Sequence, residues 1–423
     1  MRKGIQILIV ILFYQVTYAQ EIVTLEYCYN KIEQEFPIAQ KLEIQRKITD
    51  LNIRLKQTGL YPEMKISGSM SYQSEVTDPS FLGPAAPKFS NDHYTISLDI
   101  TQSVFDAGKT KKMEEIELIS GQAAQAGFQI ELWNIRKQID QVFFAILLLQ
   151  KQKESVDLFL KDLDEQLLMV STKVKNGVLL PSYERVIKAE ILKLKQQKLQ
   201  LESNTKSGYE VLSQMIGEEV SVDRQLHLPE NKVESFEISE IDGRPEFELF
   251  DHKKNVLHAQ SDIISSEKLP VVSAFAKGAY GRPGFDAFND DLHLYWMVGL
   301  RAQWSFRNWR NSDKKNQIIR LEEDKIDADE DAFLRQINSE LLQIESTIEA
   351  LNQQIELDEQ LVALREEIVK EKRSQLNQGV ITSTEYVIEL NAWNRAQLNL
   401  EIHKVQLVKA NYEYLTQKGT SWN

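Results

Sequence analysis

Cysteine is almost absent: the 423 residues hold one, Cys28. A single thiol forms no intramolecular disulfide and no multi-cysteine metal site. It stands in Leu25-Glu26-Tyr27-Cys28-Tyr29, a helical context in which a cysteine reads as a small core residue. The six histidines are scattered. His252 and His258 are too poorly phased to share a helical face, and His93 and His293 stand at strand starts, a loop-edge setting. Basic charge is in deficit, with 50 Lys and Arg against 63 Asp and Glu and a net charge of −13. That argues against a general nucleic-acid footprint. Catalytic motifs are missing too: no phosphate-cradling glycine loop, no nucleophile elbow and no His-Glu-x-x-His helix. No cofactor is implied, and the residues offer no enzyme chemistry. Beyond the first residues, no apolar run is long enough for a membrane-spanning helix.

What is present begins with an export signal. Arg2 and Lys3 precede the apolar run Ile5–Phe13, and Thr17-Tyr18-Ala19 supplies a small residue for cleavage before Gln20. Residues 1–19 are therefore expected to be removed. No cysteine stands at the cut, which speaks against a lipid anchor. If the exported chain crosses a membrane, strands must do it.

The chain then reads as one unit written twice. Gln102-Ser103-Val104-Phe105-Asp106 is echoed by Trp304-Ser305-Phe306-Arg307-Asn308, and Asn176-Gly177-Val178-Leu179 by Gln378-Gly379-Val380-Ile381. Val186-Ile187 returns as Val387-Ile388, and Pro62 as Pro270. Residues 20–216 form the first repeat and 244–423 the second, each helix, two strands and a long helical hairpin. Residues 217–243, rich in acidic and turn-forming types, form the connector.

Three-four apolar spacing marks the long helices. Leu132, Ile135, Ile139, Val142, Ile146 and Leu149 form one seam, resumed from Val156 to Val174. Leu334, Ile337, Leu341, Ile344, Ile348, Leu351 and Ile355 repeat it. A helix from Asp106 to Lys175 spans about 105 Å at 1.5 Å per residue, more than twice a whole bilayer. Gly121 and Gly127 in it imply a bend, close packing or merely tolerated glycines.

Four runs alternate as strands, around residues 64–73, 94–104, 271–280 and 294–307. The last carries Leu294, Trp296, Val298, Leu300, Trp304 and Phe306 on one side. The alternation fits a half-buried soluble sheet or a barrel wall. Four strands fall short of the eight in the smallest membrane barrels, so a barrel would need several chains.

These residues resemble the TolC-like outer-membrane efflux proteins. The likeness rests on Val23-Thr24-Leu25-Glu26, Leu60-Tyr61-Pro62, Val104-Phe105-Asp106-Ala107-Gly108-Lys109 and Arg244-Pro245-Glu246. Asn308-Trp309-Arg310-Asn311 departs from the glycine-containing pattern of the first repeat. The resemblance implies a mixed α/β, mainly α fold: a homotrimer whose helical hairpins form an α-barrel continuous with a shared 12-stranded β-barrel. It implies an outer-membrane exit duct of a tripartite efflux or type I secretion system, with the tunnel in the periplasm. Its implied partners are outer-membrane lipid, a periplasmic adaptor and an inner-membrane pump of RND or ABC type. The alternative is a periplasmic adaptor or structural coiled coil, and an exported enzyme is the third reading.

Site residues follow from the likeness. Gly177, Val178 and Leu179, with Gly379, Val380 and Ile381, match the family's hairpin tips, where an adaptor would dock. Glu385 matches an acidic entrance position, and Glu389 follows one turn later on the same face. Glu184 is the first-repeat counterpart. Loops 76–92 and 281–291 would lie at the outer mouth.

Overall fold

The computed structural model describes residues 23–35, 37–77, 83, 89–229, 241, 243–286 and 288–419. The export signal and Pro79, Pro84 and Pro87 lie outside the described residues. The elements run α1 (Leu25–Glu35), α2 (Pro37–Gln57), β1 (Glu63–Tyr72), β2 (Asp92–Phe105), α3 (Lys109–Lys175) and α4 (Pro181–Ile216). Then come α5 (Pro245–Ser266), β3 (Val271–Arg282), β4 (His293–Gln303), α6 (Phe306–Asn377) and α7 (Ser383–Lys418). The fold is mainly helical with one small sheet, and none of the described helices is long and apolar enough to cross a membrane.

The chain forms two compact units, and each draws on residues from both halves of the sequence. One comprises Pro37–Glu131 and Arg244–Ile337. Its four strands are antiparallel in the order β1-β2-β3-β4, so β1 and β4 are edges. Register aligns Ile66 with Leu98, Gly278 and Trp296, and Met64 with Ile100, Ala276 and Val298. Opposed residues share a face, so this face is apolar. Met64, Ile66, Leu98, Trp296 and Val298 are all solvent-exposed on it. The other face is mixed: Ser67, Ser97, Ala279 and Tyr295 form one row, and Lys65, Asp99, Lys277 and Met297 the next. Lys277 pairs with Asp99 there at 3.7 Å. Gly299 of β4 makes room for a bulky neighbour on β3: Phe275 closes to within 2.9 Å of where a Cβ on Gly299 would sit.

The fourth strand is shorter than its alternation predicts. Pairing stops at Val271↔Gln303, and Trp304 and Phe306 fall outside the strand. Pro270, ahead of β3, has no N–H with which to extend the ladder. The chain turns into α6 at Phe306, and the indoles of Trp304 and Trp309 both donate to the Lys268 carbonyl at 2.9 Å. The first repeat turns differently. There Ala107 (φ 58°) and Gly108 (φ 77°) are left-handed, and α3 begins at Lys109 rather than Asp106. Asp106 accepts from the N–H groups of Gly108 and Thr110, fixing that turn. The missing glycine of the second repeat is thus a direct strand-to-helix entry.

Below the sheet, ion pairs order this unit's helices as the strands are ordered. Lys56 of α2 reaches Glu117 of α3 at 3.3 Å, and Lys112 of α3 pairs with Asp262 of α5. Lys254 of α5 reaches Asp327 and Glu330 of α6, each at 2.7 Å. Gly121 marks a close crossing: a Cβ there would sit 2.4 Å from Thr49 Oγ1 of α2. Gly127 has open space and needs no such account. Arg244 forms two bonds to Glu246, of 3.0 and 2.6 Å, and stacks over Phe333. That joins the Arg-Pro-Glu motif to α6.

The other unit comprises Met1–Phe36, Leu132–Gly243 and Asn338–Asn423. Its seams pack as the spacing predicts: Leu132, Ile139 and Ile146 are buried on α3, Ile348 and Leu351 on α6. Cys28 is fully buried, and burial pushes its thiol up to about 12, with Asp140 adding to the shift.

Candidate functional site

Two hairpin tips close the helical unit. Left-handed glycines stand just past the ends of α3 and α6, Gly177 (φ 72°) and Gly379 (φ 74°). In each the glycine N–H returns to a carbonyl three residues back, Val174 or Leu376, at 3.0 Å. The following N–H, of Val178 or Val380, reaches five back, to Lys173 or Gln375, at 2.9 and 3.0 Å. This bond pair is the left-handed glycine cap of a helix C-terminus. Lys173 Nζ also donates to the Asn377 carbonyl at 2.6 Å, placing a cation at the end of α6 and tying the tips together.

The four apolar tip residues divide. Leu179 and Ile381 pack half-buried against a core from α3, α4, α6 and α7 that includes Leu163, Ile187, Leu376 and Tyr386. Val178 and Val380 are 67% and 70% exposed. Leu180, the last residue of the first tip, is 68% exposed. It is the N-cap of α4, with no side-chain cap bond and Pro181 following. Its counterpart Thr382 caps α7 properly: its hydroxyl accepts from the Glu385 N–H, and its own N–H donates to the Glu385 carboxylate. Leucine ranks far below threonine as a cap. That mismatch was a signal available in the sequence.

Glu385 therefore stands exposed on the first turn of α7 with its carboxylate turned back on the cap. Glu389, one turn on, is half-buried and accepts from Arg365 of α6 at 2.8 Å. Glu184 pairs with Lys188 at 2.5 Å. So the structure brings Glu385 and Glu389 onto one helix, and it attaches a cation to Glu389 that sequence reasoning did not name. Deeper, Arg373 of α6 donates to the Tyr386 hydroxyl of α7 at 3.2 Å. Burial raises the Tyr386 phenol, and Arg373 opposes that shift. Burial likewise raises the nearby carboxyl of Asp162 on α3, against the pull of Arg373.

In the sheet unit, the β1–β2 and β3–β4 connections meet: the Ser90 N–H donates to Asp290 Oδ2 at 2.7 Å.

Comparison with known proteins places this architecture. Residues 29–218 match the family model "outer membrane efflux protein". No curated protein sequence matches the chain. Among solved structures, the outer membrane protein VceC of Vibrio cholerae aligns with TM-score 0.67 at 16% identity, over 93% of this chain and 96% of its own. The CmeC outer membrane channel of Campylobacter jejuni aligns with TM-score 0.68 at 12% identity, over 94% and 87%. The open MtrE outer membrane channel of Neisseria gonorrhoeae aligns with TM-score 0.68 at 11% identity, over 93% and 88%.

Proposed function

We propose that this chain is a TolC-like outer membrane efflux protein acting as a passive exit duct, a reading supported by the family match over residues 29–218 and by the shared fold. It would sit in the outer membrane with its helices in the periplasm. The observation that carries the reading is the sheet. One face is apolar and exposed, the other carries Lys65, Asp99 and Lys277 among mixed residues, and both edges are open. Such an apolar patch needs a hydrophobic surround, and open edges in lipid leave backbone groups unpaired. Copies joined β4 to β1 satisfy both demands, and the alternating strand directions make that junction antiparallel. A homotrimer supplies twelve strands.

Substrate would pass from an inner-membrane pump of RND or ABC type, through a periplasmic adaptor, into the helical tunnel. The adaptor contact is assigned to Val178, Leu180 and Val380 rather than to Leu179 and Ile381, because the latter pair is spent on the hairpin core. Glu385 and Glu389 would line the entrance, with Arg365 balancing part of the charge. The deciding experiment is fractionation: the protein should enter the outer membrane as a heat-modifiable trimer resistant to sodium dodecyl sulfate. A soluble periplasmic monomer would reject the duct.

A further inference from the structure

Where strands pass into helices, the chain reverses its charge. Residues 105–112 and 304–315 hold seven basic and two acidic residues, in a chain of net charge −13. Further along α6, residues 320–331 hold two basic and seven acidic. Lys112 and Lys315 are spent on Asp262 and Glu267. The other five, Lys109, Lys111, Arg307, Arg310 and Lys314, are exposed and have no carboxylate partner among the described residues. At 100° per residue, Arg307, Arg310 and Lys314 lie within about 60° of one another on α6. Helix stability does not account for them. A helix start favours acids, yet neither α3 nor α6 has one in its first turn. Aromatic rings share this level: Phe105, Trp304, Phe306 and Trp309 are all exposed. A bulge after Ser103 brings Phe105 opposite Val272, onto the apolar face of the sheet. The Lys268 carbonyl anchors both indole N–H groups.

We infer that these turns form a collar that selects anionic phospholipid in the inner leaflet of the outer membrane. The inference rests on the barrel reading and names the lipid that such a barrel would hold. The five cations take phosphodiester oxygens, and the aromatic rings lie at headgroup level, where amphipathic rings settle. Depth supports this. β4, from His293 to Gln303, runs about 34 Å, or about 26 Å of height at a tilt near 40°, against an apolar band of about 25 Å. The cationic turns therefore stand at the helical edge of that band. Charge supports it too, since each cation beside an anionic leaflet adds about fivefold to association. A neighbouring copy fits these cations poorly. The turn of α2 that leads into edge strand β1 is itself basic, with Arg54 and Lys56.

Spin-labelled lipids test it on the full chain reconstituted in phosphatidylcholine bilayers. At low salt, labelled phosphatidylglycerol should be motionally restricted about threefold or more over labelled phosphatidylcholine, and added salt should shrink that preference. Arg307→Gln, Arg310→Gln and Lys314→Gln together should remove most of it. Lys253→Gln, Lys325→Gln and Arg335→Gln together take away the same charge about 20 Å or more from the sheet ends of α5 and α6, beyond screening range, and should leave it intact. Trimers that restrict both lipids equally, or a preference that survives the first triple change, would overturn the collar and leave the duct standing. If the first variant's trimers dissociate at a lower temperature with lipid preference unchanged, the cations face a neighbouring copy and the collar is wrong. A chain that never enters the bilayer as a trimer would overturn the collar and the duct together.

Discussion

Asp140 is the residue whose setting is least like its chemistry. It is 2% exposed on α3, where the Tyr29 hydroxyl of α1 donates to its Oδ1. Burial pushes its carboxyl up to about 7, and Glu413 adds to the shift. The Tyr29 hydroxyl, Arg136 and Lys137 pull the other way. An unfolded aspartate titrates near 3.9. Between about 4 and 7 the folded chain keeps a proton that the unfolded chain has released. The stability this contributes is full below the unfolded value and lost as pH climbs through 7. Unfolding free energy in urea should therefore fall by up to a few kcal/mol between pH 5 and 8.5. Asp140→Asn, neutral and of the same shape, should remove most of that slope; an equal slope in the variant would place the proton on another group.

Among the elements, the two hairpins make a controlled comparison. α7 starts with a full capping box and α4 with an exposed leucine. Leu180→Ser should stabilise the hairpin by about 1 kcal/mol, the usual worth of a cap. If the leucine serves docking, export should fall while the trimer becomes harder to melt. Gained stability with full export would leave Leu180 without a docking role. Charge at Leu179 or Ile381 should act in the opposite sense, lowering stability, because those side chains fill the core. The α2–α3 crossing is similarly specific. Gly121→Val would drive side-chain carbon into Thr49 and should cost about 1–3 kcal/mol. Gly127→Ala, facing open space, should be neutral or slightly stabilising, since alanine favours a helix over glycine. Thermal melting of the two variants separates these outcomes.

For the whole molecule, the entrance charge sets what a pore would conduct. Three copies of Glu385 and Glu389 near one axis would attract cations. Glu385→Gln keeps the cap, because glutamine also completes a capping box, so it changes charge alone. Arg365→Gln releases Glu389 from its partner. In planar bilayers the Glu385→Gln, Glu389→Gln double variant should lose cation preference and periplasmic-side block by multivalent cations. Arg365→Gln should strengthen both. Unchanged selectivity in both variants would move the entrance ring elsewhere.

The sequence alone determined periodicity. The three-four seams and the alternating strands follow from helical and strand repeats, and both appear where spacing put them except at the end of β4. Gly177 and Gly379 were legible as turns because a left-handed residue at a helix end favours glycine. The tertiary structure decided what each position faces. Whether Leu179 or Leu180 meets solvent depends on which way the chain leaves a left-handed cap. Glu389's cation comes from Arg365, 24 residues away. Asp140 looked like any solvated helical acid until α1 covered it. The end of β4 lay with its partner, since Trp304 and Phe306 continue the alternation but β3 offers no strand beside them. Local pattern is written in neighbouring residues, whereas burial and pairing arise between segments far apart in the chain, which only folding brings into contact.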